Sequence, residues 1–125
     1  MEKDLTERLF KMAVRVIKFL RTMPNTYEYS VFKYQLVKAA TSSSANYEES
    51  QSGSSKADFA YKVEISLREM RESNYWLRLI KATCEDLKND FEELNYLIKE
   101  SAELKLILGS IVIKSKKRIT RDAEF

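Results

Sequence analysis

The chain has 125 residues and a formal net charge of +3, with two Gly, one Pro, one Cys and no His. A chain of this length is one domain with a substantial core, and so few Gly and Pro residues exclude a fold rich in turns or a glycine-rich phosphate loop. The lack of His removes the commonest general base and the commonest transition-metal ligand. The single Cys84 excludes an internal disulfide and a multi-cysteine zinc site, and it favours a reduced, intracellular protein.

No segment is typical of an export signal or a membrane span. Residues 2–8 are charged where a secretory signal needs an apolar run. The longest apolar stretch, residues 106–113, has less than half of the roughly 20 residues that a transmembrane helix requires. We therefore expect a cytoplasmic protein without membrane contact.

The first predicted helix covers residues 4–22 and is apolar over more than half of its circumference. A helix with so wide an apolar arc has more than one neighbour to cover. The remaining arc carries four basic residues that lie within about 80° of each other. They form the basic stripe: Arg8, Lys11, Arg15 and Lys18.

The second predicted helix covers residues 27–50, after Pro24 has ended the first. Its core-facing row is Phe32, Leu36, Ala39 or Ala40, Ser43 and Tyr47. Residues 39–45 are small or polar, which is favourable only where another backbone comes close. On another side of the helix, five polar residues fall within about 80° of one another. They form the polar stripe: Gln35, Lys38, Ser42, Asn46 and Glu49.

Two further helices are predicted over residues 55–84 and 88–118, and residues 119–125 are assigned to a frayed tail. Four helices of this length with short connections predict an all-α fold. We expect an antiparallel up-down-up-down four-helix bundle in a single domain, residues 1–125.

Two local patterns refine the last two helices. Ser55 and Asp58 open the third helix in the manner of a capping box. Ala102 and Gly109 are seven residues apart on the last helix and indicate a point of close helix contact. The alternative is that Gly109 is merely tolerated there, at a cost of about 1 kcal/mol.

Three motifs resemble those of a known family. The second helix carries Gln35, Leu36, Lys38, Ala39, Ala40, Ser42, Asn46 and Glu49. The third helix opens with Ser55, Lys56, Asp58 and Phe59 and continues with Glu72, Ser73, Tyr75, Trp76 and Leu77. Together with the last helix, these motifs resemble the bacterial 23S rRNA intervening-sequence proteins over almost the whole chain. Many relatives have Ile-Ala-Glu-Gly at positions 47–50 and Arg at position 38, and the present form resembles one branch of the family.

The resemblance implies a left-handed antiparallel bundle that assembles into a homopentameric ring and has no established enzymatic activity. A similar bundle serves as the accessory subunit of diversity-generating retroelements, where it binds nucleic acid and a reverse transcriptase through a basic surface. By analogy, RNA or DNA and a protein are the partners to expect beside the chain itself. No cofactor is expected.

Each candidate site has a functional and a structural interpretation. The polar stripe is either a ligand or catalytic site, in which Glu49 and Lys38 do acid–base work, or a buried network that fixes register between helices or subunits. We favour the network, because the stripe has no His and no metal-binding cluster. The basic stripe either follows a phosphate backbone or is the solvated side of an amphipathic helix.

Two weaker possibilities concern aromatic residues and carboxylates. The aromatic residues could stack on bases, but core or interface positions are the stronger interpretation. They are Tyr27, Tyr29, Phe32, Tyr34, Tyr61, Tyr75, Trp76 and Tyr96. A metal site at Asp86, Asp90 and Glu93 lacks the His that di-iron bundles use.

We therefore predict a non-enzymatic, homo-oligomeric bundle that acts as a scaffold or adaptor. Its basic face is the expected contact for RNA or DNA and a protein partner. The alternative is a small-molecule binder or enzyme that uses the polar stripe.

Overall fold

The computed structural model describes residues 2–53, 55–84 and 91–123, and all regular structure in these ranges is α-helical. The helices are α1 (Glu2–Leu20), α2 (Tyr27–Ser50), α3 (Lys56–Thr83) and α4 (Phe91–Ala123). The predicted all-α, four-helix fold is therefore confirmed over the described ranges. In these ranges, no helix has both the length and the hydrophobicity that a membrane span requires.

The ends of two helices differ from the sequence prediction. Helix α1, predicted over residues 4–22, begins and ends two residues earlier. Helix α4 continues through residues 119–123, so the frayed tail predicted there is wrong for these residues. In the last turn of α4, Asp122 forms an ion pair with Lys56 at the start of α3, a tertiary contact that no pattern within α4 indicates. This contact also holds the pKa of the Asp122 carboxyl below its usual value. The predicted start of the last helix at residue 88 lies outside the described residues.

Side chains before α2 and α3 cap their first turns. The Thr26 hydroxyl accepts a hydrogen bond from the Tyr29 backbone amide at 3.3 Å. The Ser55 hydroxyl accepts one from the Asp58 backbone amide at 3.1 Å. Each cap satisfies one of the amides that a helix start leaves without a partner in the helix. Between α2 and α3, Gly53 has φ +87°, a backbone conformation that residues with a Cβ rarely adopt.

The four helices close around one core. Each helix packs against the next in the chain, and α1 also packs against α4. All members of the predicted core row of α2 are buried except Phe32, which is half-buried. The largest fully buried side chains come from all four helices: Leu9, Met12, Val16, Leu36, Tyr47, Met70, Leu77, Ile80, Leu94, Leu97, Leu104 and Leu108.

A pair of serines explains the small residues of α2. Ser43 on α2 and Ser66 on α3 are both fully buried. The Ser43 hydroxyl donates to the Ser66 carbonyl at 2.8 Å, and the Ser66 hydroxyl donates to the Ser43 carbonyl at 2.7 Å. Hydroxyl-to-backbone bonds in both directions require the two helices to lie close together. The prediction that another backbone approaches this run is therefore confirmed, and the neighbour is α3.

Candidate functional site

The polar stripe lies at the surface of the bundle rather than in its core. Gln35, Ser42 and Asn46 are half-buried, whereas Lys38 and Glu49 are exposed. Asn46 Nδ2 donates to the Ser42 carbonyl at 2.9 Å and to the Ser42 hydroxyl at 3.1 Å, so it bonds within its own helix. The buried polar contact between α2 and α3 is instead the serine pair. A role of the polar stripe between subunits stays a prediction.

The geometry of the polar stripe gives little support to acid–base chemistry. Glu49 and Lys38 are eleven residues apart on one continuous helix, which is about 16 Å along the axis. At that distance they cannot act on the same proton. Glu49 instead accepts a hydrogen bond from Lys62 on α3 at 3.5 Å.

Two members of the basic stripe form ion pairs with α4. Arg8 donates from Nε and Nη2 to the two carboxylate oxygens of Glu100, at 3.1 and 2.8 Å. Arg15 binds Glu93 in the same two-point manner, at 2.9 and 2.5 Å. These hydrogen bonds raise the pKa of both guanidinium groups. The pairs connect α1 to α4, so the positive charge of both arginines is neutralised within the protomer.

The other two members of the basic stripe, Lys11 and Lys18, are exposed. Within the described ranges, neither of them forms an ion pair. Arg15 also lies over the ring of Tyr96, with its guanidinium carbon 3.6 Å from the ring centroid. The basic stripe therefore divides into two arginines that hold α4 and two lysines that reach solvent.

Helix α1 exposes an apolar ridge that the core does not cover, formed by Phe10, Val14 and Ile17. The Phe10 side chain is 59% exposed, and the other two are half-buried. The α1 ridge lines a groove between α1 and α2, which Ala45 and Glu48 border on the α2 side. The wide apolar arc predicted for this helix therefore covers the core and continues onto the surface.

Helix α4 has a second exposed apolar surface, the α4 stripe, formed by Ala102, Leu106, Gly109 and Ile113. Their spacing of 4, 3 and 4 residues places them within about 60° on one face of the helix. Leu106 is 73% exposed and Ile113 is 57% exposed. A Cβ at Gly109 would meet no heavy atom within 4 Å, so the predicted close helix contact does not occur within the described protomer.

The aromatic residues divide between a cluster at one end of the bundle and the open surface. Phe32 packs between Tyr29 and Trp76, with ring centroids 6.2 and 6.1 Å apart. All three are half-buried and pack against the core. The remaining predicted core or interface aromatics are exposed in the protomer, so a core position is wrong for them: Tyr27, Tyr34, Tyr61, Tyr75 and Tyr96. An interface position for them stays a prediction.

Asn74 organises a polar site between α3 and α4 that no sequence motif singles out. Its side chain is buried, and its Nδ2 donates to the Ser101 hydroxyl at 2.9 Å and to the Ile98 carbonyl at 3.2 Å. Its Oδ1 accepts from Arg78 Nε at 2.9 Å and from Lys105 Nζ at 3.4 Å. We call Asn74, Arg78 and Lys105 the Asn74 site. The only signal in the sequence is the four-residue spacing of Asn74 and Arg78, because Lys105 comes from another helix.

The described residues hold no group of three or more acidic, His or Cys side chains that could bind a metal ion. Of the three carboxylates weighed as metal ligands, Asp86 and Asp90 lie outside the described residues, and Glu93 binds Arg15. The Cys84 thiol is fully buried at the end of α3. Burial raises the pKa of the Glu69 carboxyl on α3, and the charge of Glu72 adds to this effect.

The sequence and the fold of this chain are both similar to those of known proteins. The chain matches the model of a family described as 23S rRNA-intervening sequence protein over residues 2–109. The chain belongs to that family. A solved structure of a protein from Bacteroides thetaiotaomicron has the same fold as this 23S rRNA-intervening sequence protein, and the two structures align with a TM-score of 0.76. It is described as a protein with unknown function from the S23 ribosomal protein family, is 28% identical, and matches over 89% of this chain and 96% of its own. No curated protein is significantly similar in sequence.

Proposed function

We propose that this chain is a non-enzymatic, homo-oligomeric scaffold of the 23S rRNA-intervening sequence protein family that acts in the cytoplasm. The observation that carries the proposal is the pair of exposed apolar surfaces, the α1 ridge and the α4 stripe, on a bundle whose core is otherwise closed. Exposed apolar surface of this kind marks a contact with another macromolecule. Further copies of the chain would cover both surfaces, with one neighbour on the α1 ridge and another on the α4 stripe.

The charges beside the two surfaces favour contact between the α1 ridge of one copy and the α4 stripe of another over contact between two identical surfaces. The groove beside the α1 ridge is bordered by α2 and carries Glu48 on its rim. The α4 stripe has the exposed Lys99 and Lys117 within about 60° on one side. Contact between the stripe of one copy and the ridge of the next therefore brings opposite charges together. Such a head-to-tail contact generates a ring when the rotation closes, and the family resemblance favours a ring of five.

Within each protomer we propose the antiparallel up-down-up-down arrangement. The contacts that support it are the ion pairs between α1 and α4. Arg8 pairs with Glu100, and Arg15, seven residues later, pairs with Glu93, seven residues earlier. A contact that moves forward along one helix and backward along the other is the pattern of antiparallel neighbours.

The scaffold presents its basic residues to RNA or DNA and to a protein partner. A ring repeats each basic surface in every copy, and repetition raises the affinity for a long polyanion through effective concentration. On α1, the exposed Lys11 and Lys18 are the members of the basic stripe that are available for this contact. The resemblance to the retroelement accessory subunit motivates both partners.

The mass of the particle in solution tests the oligomer. Size-exclusion chromatography with light scattering should give five times the 14.7 kDa of the chain at micromolar concentration. A different closed oligomer would contradict the number five but not the scaffold. A single species of 14.7 kDa would contradict the proposal.

The alternative, a small-molecule binder or enzyme that uses the polar stripe, makes a different prediction. Replacing Asn46 and Glu49 by Ala would then leave a folded, assembled protein that has lost only its ligand. A structural stripe predicts that the same variant loses stability or assembly. The two outcomes are separated by thermal unfolding and light scattering on the same sample.

A further inference from the structure

The Asn74 site brings two cations to one neutral oxygen atom. Ser101 and Ile98 both accept from the amide nitrogen of Asn74, and this fixes the orientation of the amide. Its oxygen therefore faces Arg78 and Lys105. Because both donors bind the same atom, the two positive groups lie within two hydrogen-bond lengths of each other.

Nothing in the described part of the chain neutralises this pair of charges. Neither Arg78 nor Lys105 forms an ion pair there. The contrast with α1 is direct, because Arg8 and Arg15 each bind a carboxylate through two hydrogen bonds. Two cations that lie together with no anionic partner among the described residues form a local positive potential that an anionic ligand would relieve.

The geometry of the cations suits a phosphate. The guanidinium of Arg78 uses Nε for Asn74, and its two Nη nitrogens make no hydrogen bond to the described residues. A guanidinium binds two oxygens of a phosphate with its planar fork, while a lysine adds a mobile point charge. Arg78 is exposed and Lys105 half-buried, so both can reach a ligand at the surface.

The site also has an aromatic neighbour. Tyr75 is 48% exposed, and the guanidinium carbon of Arg78 lies 6.0 Å from the centroid of its ring. Trp76 packs edge-on against Tyr75, with the ring centroids 5.2 Å apart. A cation beside an exposed aromatic ring is the combination that binds the phosphate and base of an unpaired nucleotide.

We propose that the Asn74 site binds a backbone phosphate of single-stranded nucleic acid through Arg78 and Lys105, and that Tyr75 stacks on an adjacent base. Asn74 is a positioning residue, because it fixes both cations without touching the ligand. The inference rests on the nucleic-acid contact proposed above and moves its centre from α1 to the seam between α3 and α4.

The test compares two double variants with the same loss of charge. R78Q/K105Q removes the cations of the Asn74 site, and K11Q/K18Q removes the exposed lysines of the basic stripe. Binding of fluorescein-labelled oligouridine and oligothymidine is measured by anisotropy over a salt series. Each phosphate contact to a single strand contributes about 0.7 to the slope of log K against log salt. R78Q/K105Q should therefore reduce the slope by about 1.4 and the affinity at least tenfold, while K11Q/K18Q should lower the affinity by a smaller factor, because Lys11 and Lys18 lie outside the Asn74 site.

Two single variants separate the parts of the site. R78K keeps the charge but loses the planar fork, so the affinity should fall while the salt slope stays unchanged. Y75L should weaken binding by a similar factor at every salt concentration, because stacking releases no counterions. Thermal unfolding and light scattering on each variant show that fold and assembly are retained. Comparison of oligouridine with oligothymidine shows whether the ribose hydroxyl contributes.

Three results would overturn parts of this inference, and they differ from one another. Equal losses in the two double variants, or a loss in K11Q/K18Q alone, would exclude the Asn74 site but leave the proposed nucleic-acid contact in place. Unchanged binding by Y75L would exclude the stacking role. If the unmodified protein fails to bind either oligonucleotide at low salt, both the inference and the nucleic-acid part of the proposed function are wrong.

Discussion

At the scale of single residues, the structure separates polar side chains that the sequence places side by side. Ser42 and Ser43 are neighbours, yet Ser42 belongs to the half-buried polar stripe and Ser43 is fully buried against Ser66. Charged side chains on one face of a helix are likewise separated by their contacts. Arg15 and Lys18 share one stripe of α1, but among the described residues Arg15 has a carboxylate partner and Lys18 has none. What a polar residue does here depends on the helix opposite to it.

The serine pair leads to a stability prediction. Ser43→Leu places a large side chain where α2 and α3 approach closely, and overpacking of this kind costs about 1–3 kcal/mol. It also removes the hydroxyl bond to Ser66, which adds about 0.5–1.5 kcal/mol. Ser42→Leu is the matched control, and a cost below about 1 kcal/mol is expected because the site is partly open. Chemical denaturation of both variants measures the difference. Equal costs would contradict the close approach of the two helices.

At the scale of the helices, α1 and α4 each do more than build the core. Helix α1 binds α4 through two arginines and keeps an apolar ridge outside. Helix α4 continues five residues beyond its predicted end and exposes the α4 stripe on its outer face. A glycine inside such a helix costs about 1 kcal/mol relative to alanine. A Cβ at Gly109 would meet no heavy atom of the described residues within 4 Å, so packing within the bundle does not require a glycine there, whereas the proposed contact with a second copy would.

Gly109→Ala should therefore have opposite effects on folding and on assembly. In the background of Leu106→Glu, a substitution expected to prevent assembly, the alanine should raise the free energy of unfolding by about 0.5–1 kcal/mol because alanine has the higher helix propensity. In the unmodified background it should shift the oligomer towards smaller species on dilution. Ser110→Ala, at the next exposed position, is the control and should leave assembly unchanged. Unaltered assembly by Gly109→Ala would favour the simpler interpretation that the glycine is only tolerated.

At the scale of the whole molecule, the proposed contact is head-to-tail and uses two different surfaces of the same chain. Each protomer offers its α4 stripe to one neighbour and its α1 ridge to the other. A contact of this kind has a consequence that a symmetric dimer lacks. A protomer with one damaged surface still has the other intact.

Two charge substitutions test this geometry together. Phe10→Glu should remove the α1 ridge as a docking surface, and Leu106→Glu should remove the α4 stripe, so each variant alone should be monomeric. An equimolar mixture should form a one-to-one heterodimer, because the intact ridge of one variant meets the intact stripe of the other. Both positions are more than half exposed, so the fold should be retained. Light scattering measures the mass of each variant alone and of the mixture. A mixture that stays monomeric would contradict the head-to-tail contact.

The helices, the core row of α2, the cap at Ser55 and the family could be predicted from the sequence, because these depend on local propensity, on helical periodicity and on motifs within single helices. The ion pairs and hydrogen bonds of the charged side chains depend instead on how the helices pack. Arg8 meets Glu100 across 92 positions of the chain, and Lys105 meets Asn74 across 31. No periodic pattern within one helix encodes such pairs. They arise only when packing brings separate helices together, and for that reason the basic stripe was a reasonable prediction from α1 alone while the Asn74 site could not be predicted.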